Sequence, residues 1–211
     1  MKRLIIPIII CMVTLLASCD YTTQNRITES EPEPEQISTL EQYLLNRLYQ
    51  YPNWQDNRAQ QNEFNKGFEK ELVGKLKADK TFLSNYPFRF GSMGEKEING
   101  KYAIHLWYSQ SRRDSYGQDT YRHGIPIDGD VIVLIDKKDA LSFNESEWER
   151  NKYCSFVGSF IKVGKSPNDY YKYFDHGMPY TDKFGLSDFG SSRTTVKLAI
   201  MVFKADSLFM L

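Results

Sequence analysis

The run Val196-Lys197-Leu198-Ala199-Ile200-Met201-Val202-Phe203 is apolar at seven of its eight positions. Successive side chains of a strand point to opposite faces, so this run is hidden only in a strand covered on both sides. Leu198, Ile200 and Val202 are expected on one face, with Ala199, Met201 and Phe203 on the other. Any fold open to this chain must therefore place 196–203 inside a sheet. Other segments supply its neighbours. Tyr86, Phe88 and Phe90 alternate. Tyr102, Ile104, Leu106 and Tyr108 alternate with Ala103, His105 and Trp107. Val131–Ile135 is a continuous apolar strand announced by the Asp128-Gly129 turn, and residues 153–163 form another with Gly158 as a bend.

Upstream of these strands the period is helical. Ser38 with Glu41 three residues later makes a capping box, and Leu40, Leu44, Leu48 and Tyr51 recur at helical spacing until Pro52. A second helix is expected over about 55–78, where Phe64, Phe68, Leu72 and Leu76 share a face and Gly67 and Gly74 weaken it modestly. A capped turn is expected at Asn144–Trp148. The class is α+β: an N-terminal helical hairpin packed on a curved, mainly antiparallel sheet of about five strands. Two topologies fit. One is a sheet wrapping a helical layer, as in NTF2/cystatin-like domains. The other is an OB-like barrel with a helix between strands three and four.

The first residues specify an address rather than a fold. Lys2 and Arg3 precede thirteen uncharged residues, Leu4–Leu16, and then Ala17-Ser18-Cys19. A spanning helix needs about 20 apolar residues, so this run fits the apolar core of a signal peptide. Leu16-Ala17-Ser18-Cys19 resembles the lipobox of bacterial lipoproteins. That resemblance covers residues 1–19 and implies cleavage before Cys19, with diacylglyceryl and acyl groups (palmitate among them) on the new terminus. Two or more chains anchor stably where one does not. The expected organisation is a signal peptide at 1–18, a lipidated cysteine and disordered tether at 19–37, and a single globular domain at 38–211. The tether holds five acids, one Arg and Glu31-Pro32-Glu33-Pro34-Glu35. The expected location is the bacterial cell envelope, at the outer membrane or cell surface rather than the inner membrane.

This assignment makes a direct prediction. Cys19→Ala should release the protein from the membrane, because the thiol is the only attachment point for lipid. Mass spectrometry of the membrane-bound wild type should show an acylated Cys19. An intact, unmodified Cys19 in the membrane fraction would contradict the assignment.

Charge and cysteine usage narrow the function. The chain has 27 basic and 27 acidic residues, and loss of Lys2 and Arg3 leaves 25 against 27. Nucleic acid as a partner calls for a basic excess that is absent here. Of three cysteines, Cys11 leaves with the signal peptide and Cys19 carries lipid, so Cys154 has no partner for a disulfide and is expected in the core. The sequence contains no HExxH, GxSxG, P-loop, GxGxxG or CxxC, and its histidines (105, 123, 176) have no metal-ligand spacing. No catalytic residue, metal ligand or cofactor is nominated.

Two loops carry the candidate contact residues. Loop 109–124 brings Arg112, Arg113, Arg122 and His123, and loop 170–184 brings Tyr170, Tyr171, Tyr173 and Tyr180. Arginine and tyrosine are enriched at binding hot spots. The plainer reading is internal ion pairing for the first loop and rings folded back onto the sheet for the second. The leading functional expectation is a non-catalytic envelope lipoprotein, held to the membrane by lipid on Cys19, that binds a protein or glycan. The alternatives are an immunity or inhibitor protein against an envelope-active enzyme, and an envelope hydrolase with a site outside the known motifs.

Overall fold

Helix α1 (Thr39–Leu48) opens as the capping box requires: the Ser38 hydroxyl accepts from the Glu41 N–H, and the Glu41 carboxylate accepts from the Ser38 N–H at 2.8 Å. Leu40, Leu44 and Leu48 form its buried stripe. In this computed structural model the described residues are 36–108, 112–113, 119–144, 147–148, 152–164, 168, 172–174, 183–189 and 193–211. They belong to one compact unit, Glu31–Leu211. The signal peptide, Cys19 and the tether up to residue 35 lie outside them.

The helix expected over 55–78 is two helices, α2 (Arg58–Asn65) and α3 (Phe68–Ala78). Gly67 adopts φ 68° between them, a left-handed conformation that glycine takes at little cost and that a continuing helix cannot contain. The break frees Asn65 to act as a strand partner. Its Oδ1 accepts from the Leu186 N–H at 2.6 Å and its Nδ2 donates to the Leu186 carbonyl at 3.1 Å. Arg47 closes the same corner: its guanidinium donates to the Phe64 carbonyl at 2.6 Å and the Lys66 carbonyl at 2.9 Å, and pairs with Glu71 at 2.5 Å. These bonds satisfy carbonyls that the end of α2 leaves without helical partners.

The strands follow in chain order as β1 (Phe88–Met93), β2 (Lys101–Trp107), β3 (Arg112–Arg113), β4 (Asp119–Thr120), β5 (Ile127–Asp136), β6 (Tyr153–Val163), β7 (Gly185–Phe189) and β8 (Arg193–Met210). β3 and β4 pair as a small hairpin within loop 109–124, and the other six form one sheet of order β5-β2-β1-β6-β8-β7. Its pairings are antiparallel except that of β5 with β8. That parallel pair joins the first strand of the order to the fifth, so five strands close into a ring and β7 lies outside it. The weakest seam is β1 with β6, which pair only at Phe88–Cys154 and Arg89–Tyr153. The short helix between the third and fourth long strands is α4 (Lys137–Leu141), earlier than the expected Asn144–Trp148 turn, which falls partly outside the described residues.

The expectation for 196–203 holds in outline and fails in one detail. β8 pairs with β5, β6 and β7, and Leu198 through Phe203 are each 2 % exposed or less. The two faces are not divided by simple alternation. Gly129 aligns with Leu198 but Val131 with Met201, so β8 carries one extra residue opposite Asp130, a β-bulge. The bulge puts Leu198 in the main core with Met201 and Phe203, leaving Ile200 and Val202 on the other face. Gly129 makes the close approach feasible: a Cβ there would lie 2.2 Å from the Leu198 carbonyl oxygen.

Two cores result. The larger joins α1–α3 to the ring's inner face through Phe64, Phe68, Phe88, Ile104, Val133, Phe156 and Phe203. Cys154 lies in it, and burial pushes its thiol up to about 12, which leaves it unreactive at neutral pH. The smaller covers the outer face with Ala103, Ile132, Leu134, Ile200 and Val202 beneath Tyr173 and Phe174. Among the described residues no helix is long and apolar enough to cross a membrane.

Candidate functional site

Strand direction brings the two nominated loops to one end of the sheet. β2 leads into loop 109–124, which returns through β5, and β6 leads into the segment that returns through β7 and β8. The end of β6 and the start of β5 lie toward the same end of β8, although Ile127 aligns with Val196 near its start and Val163 with Met201 at its middle. Yet two of the described members of the proposed surface, Arg122 and Tyr173, are used internally. Arg122 Nε lies 2.6 Å from Glu41 Oε1, with side chains only 6 % and 1 % exposed, and the same guanidinium donates to the Gln36 carbonyl. It holds the α1 cap against the turn at Arg122–Gly124. His123 is exposed, at φ 47°. Arg112 and Arg113 sit in β3 opposite Thr120 and Asp119. Tyr173 is 8 % exposed and packs into the outer core. Tyr170, Tyr171 and Tyr180 lie outside the described residues.

The fold-back of 172–174 has a clear energetic basis. Burying a large apolar side chain stabilises by about 1.5–3 kcal/mol, against about 1–2 kcal/mol to fix each residue's backbone. Two rings contribute about 3–6 kcal/mol against about 3–6 kcal/mol for three residues, so their burial offsets the ordering cost. Gly94 leaves room for the crossing chain, because a Cβ there would meet the Tyr173 carbonyl at 2.6 Å.

Beneath Phe174 lies a buried, hydrogen-bonded polar cluster. His105 is 1 % exposed, its Nε2 is 2.9 Å from Asp130 Oδ1, and Trp107 Nε1 donates to its Nδ1 at 2.8 Å. A ring that accepts at Nδ1 must carry its proton on Nε2, which donates to Asp130. Both nitrogens are thereby engaged, and neither lone pair is open to a substrate proton or a metal. The arrangement can fix the outer face but cannot act as a general base as it stands. It depends on Gly91, the bulge residue of β1, where a Cβ would lie 2.8 Å from His105 Nδ1 and 3.1 Å from the His105 carbonyl. Gly91→Ala should therefore cost about 1–3 kcal/mol in chemical denaturation through overpacking, and an unchanged midpoint would contradict this packing.

Open clefts remain among the described residues, two of them beside β8 or β6. One, of about 360 Å³, lies between the α4 connection and the end of β8, with Phe143, Trp148, Asp139, Glu147 and Asp206 among its lining. Its rings are packing elements: Phe143 and Trp148 are 4.8 Å apart and both lie near Phe90. Its carboxylates are exposed; Asp206 pairs with Lys80 at 2.8 Å, and Glu147 accepts from Asn144 at 2.8 Å. Water around them gives no desolvation to hold a catalytic proton.

The other cleft, about 850 Å³, runs between the outward side of α3 and the end of β6. Phe68, Leu72 and Leu76 turn inward, which directs Lys70, Val73, Gly74 and Lys77 into the groove opposite Phe160–Val163. Three lysines (70, 77 and 162) line it against one glutamate, Glu69, and Ile161 is 48 % exposed. The sequence pointed to this region only indirectly. Gly74 and the strand at 153–163 were legible separately, but not that the one faces the other. Among the described residues no group of three or more His, Cys, Asp or Glu is placed to hold a metal ion. Compared with protein-family models, curated proteins and solved structures, the chain matches none.

Proposed function

We propose that this chain is a bacterial envelope lipoprotein, tethered through lipid on Cys19, whose folded part is a non-catalytic binding module that contacts its partner through the groove between α3 and β6. The groove carries the reading: it joins exposed Ile161 and half-buried Val73 to lysine heads on a helix and a strand, the mixture that suits a macromolecular contact. The lipobox residues and the acidic tether support an anchored domain held clear of the membrane surface.

We read the ring as OB-like. In chain order its five long strands pair 1-2-3-5-4 and back to 1, with the third and fifth parallel. OB folds bind oligosaccharides and oligonucleotides on the outer face around strands two and three. Here that face is covered by Tyr173 and Phe174, so fold analogy gives no ligand and the groove takes its place.

The reading is tested in cells with a photo-reactive amino acid at position 70, on the groove rim, or at position 138, on exposed Lys138 of α4. Illumination should give a discrete adduct from position 70 and none of the same size from position 138. No adduct at 70, or an identical one from both positions, would overturn the reading.

A further inference from the structure

Another cleft, of about 450 Å³, runs along the outward side of α1, between that helix, Lys75 of α3 and the turn that carries Phe82 and Asn85. It shares no lining residue with the groove between α3 and β6. One end of it is formed by Ile37 and Ser38, just before α1 starts. Arg122 donates to the Gln36 carbonyl and so fixes the point from which the preceding chain departs. That chain reads Glu31-Pro32-Glu33-Pro34-Glu35. We infer that this acidic proline tract docks in the cleft along α1, so that the occupant of the cleft is the chain's own tether.

Tract and cleft agree in length, shape and charge. Proline fixes its own φ and keeps the residue before it extended, so alternating Glu-Pro favours a polyproline II helix. At about 3.1 Å per residue, five residues of that helix cover about 12–15 Å. The stretch of α1 in the lining, Thr39 to Asn46, covers about 10 Å. With three residues per turn, Pro32 and Pro34 fall on two ridges and Glu33 on the third. The prolines then face Tyr43 and Phe82, whose rings form a T-shaped pair 6.0 Å apart, and Glu33 faces water. Aromatic-lined grooves bind such helices because little freedom is lost on docking. The helix's carbonyls need outside donors. Asn46 and Asn85 have their Oδ1 atoms engaged by Gln42 and by the Thr39 N–H, which leaves both Nδ2 groups to donate. Exposed Lys75 holds its ammonium 5.1 Å from the Tyr43 ring centroid and pairs with no carboxylate among the described residues, so it can receive Glu31. The positive end of α1 receives Glu35. A link of one residue gives a local concentration on the order of millimolar or more, so a contact too weak to hold a separate peptide is populated here. Docking leaves 20–30 as the free tether, reaching about 36 Å when extended rather than about 53 Å for 20–35, and thereby lowers the height of the domain above its anchor.

The test uses the full chain, solubilised from membranes in detergent, with nitroxide labels at Ser30→Cys and at Gln50→Cys. Cys154 is buried and Cys19 is the proposed lipid carrier, so the label goes to the introduced thiols. Dipolar spectroscopy should show a narrow short-distance population, because the docked tract runs beside α1 toward exposed Gln50. Pro32→Gly with Pro34→Gly should lose that population, and so should Lys75→Glu, with melting temperatures unchanged. Lys75→Arg should keep it, as should an excess of unlabelled protein. A broad distribution in the wild type, or a narrow one that survives either the proline change or Lys75→Glu, would overturn docking. Loss of the population on adding unlabelled protein would show a contact between copies and overturn it as well. Loss on Lys70→Glu with Lys77→Glu, but not on Lys75→Glu, would place the tract in the other groove and reject the cleft along α1.

Discussion

Arg122→Ala should destabilise the domain by about 3–5 kcal/mol, the usual cost of removing one partner from a buried ion pair. The Glu41 carboxylate would remain 1 % exposed at the helix start with its Oε1 facing nothing charged. Folded domains have about 5–15 kcal/mol in total, so the variant should unfold at markedly lower denaturant or fail to accumulate. Glu41→Gln combined with Arg122→Met removes both charges, and Gln still serves the capping box. The double variant should regain much of the loss, giving a coupling energy that only interacting residues show. A single-variant loss below about 0.5 kcal/mol, within the range of ordinary surface changes, would mean that the pair is solvated and that loop 109–124 is not fastened to α1.

Ile200→Ala should cost about 2–5 kcal/mol through lost burial and a cavity that rigid neighbours cannot fill. Ile200 is 1 % exposed among Ala103, Ile132, Leu134 and the Tyr173–Phe174 cover. Because the cover rests on this residue, the variant should also loosen 172–174, seen as faster hydrogen exchange there than in the inner core. Denaturation with the wild-type midpoint would place Ile200 in solvent and dismantle the outer core.

What was legible in the sequence was local. Ser38 and Glu41 form the cap their spacing calls for, and Ile104, Leu106 and Tyr108 face inward while Ala103, His105 and Trp107 face out, as alternation requires. The turn at Asn99-Gly100 was passed over in the sequence, though both residues take positive φ and Ile98 and Lys101 exchange hydrogen bonds across them. What escaped was set by residues distant in sequence. Gly67 reads as a mild helix weakener until Asn65 is seen bonded to Leu186, 121 residues away. The bulge that turns Leu198 inward lies in the pairing of β5 with β8, and parallel pairing leaves no turn in the sequence to announce it. Arg122 has the composition of a contact residue and the burial of a structural one, a difference decided by Glu41, on a helix begun more than eighty positions earlier. The groove belongs to the same class. Neither α3 nor β6 shows by itself that the other faces it, nor that β1 leaves β6 after two residues.

The claim that the groove, rather than the loop end of the sheet, makes the functional contact is tested by placing both changes in one assay. Anchored protein is compared as wild type, as Gly74→Trp, and as Arg113→Ala with Tyr171→Ala, each carrying the same photo-reactive residue at position 70 on the groove rim. Yield of the partner adduct is measured against melting temperature for each. The account predicts that Gly74→Trp loses the adduct with stability unchanged, while the loop variant keeps it. An adduct that survives Gly74→Trp and disappears in the loop variant would contradict the account and return the contact surface to the arginine and tyrosine loops.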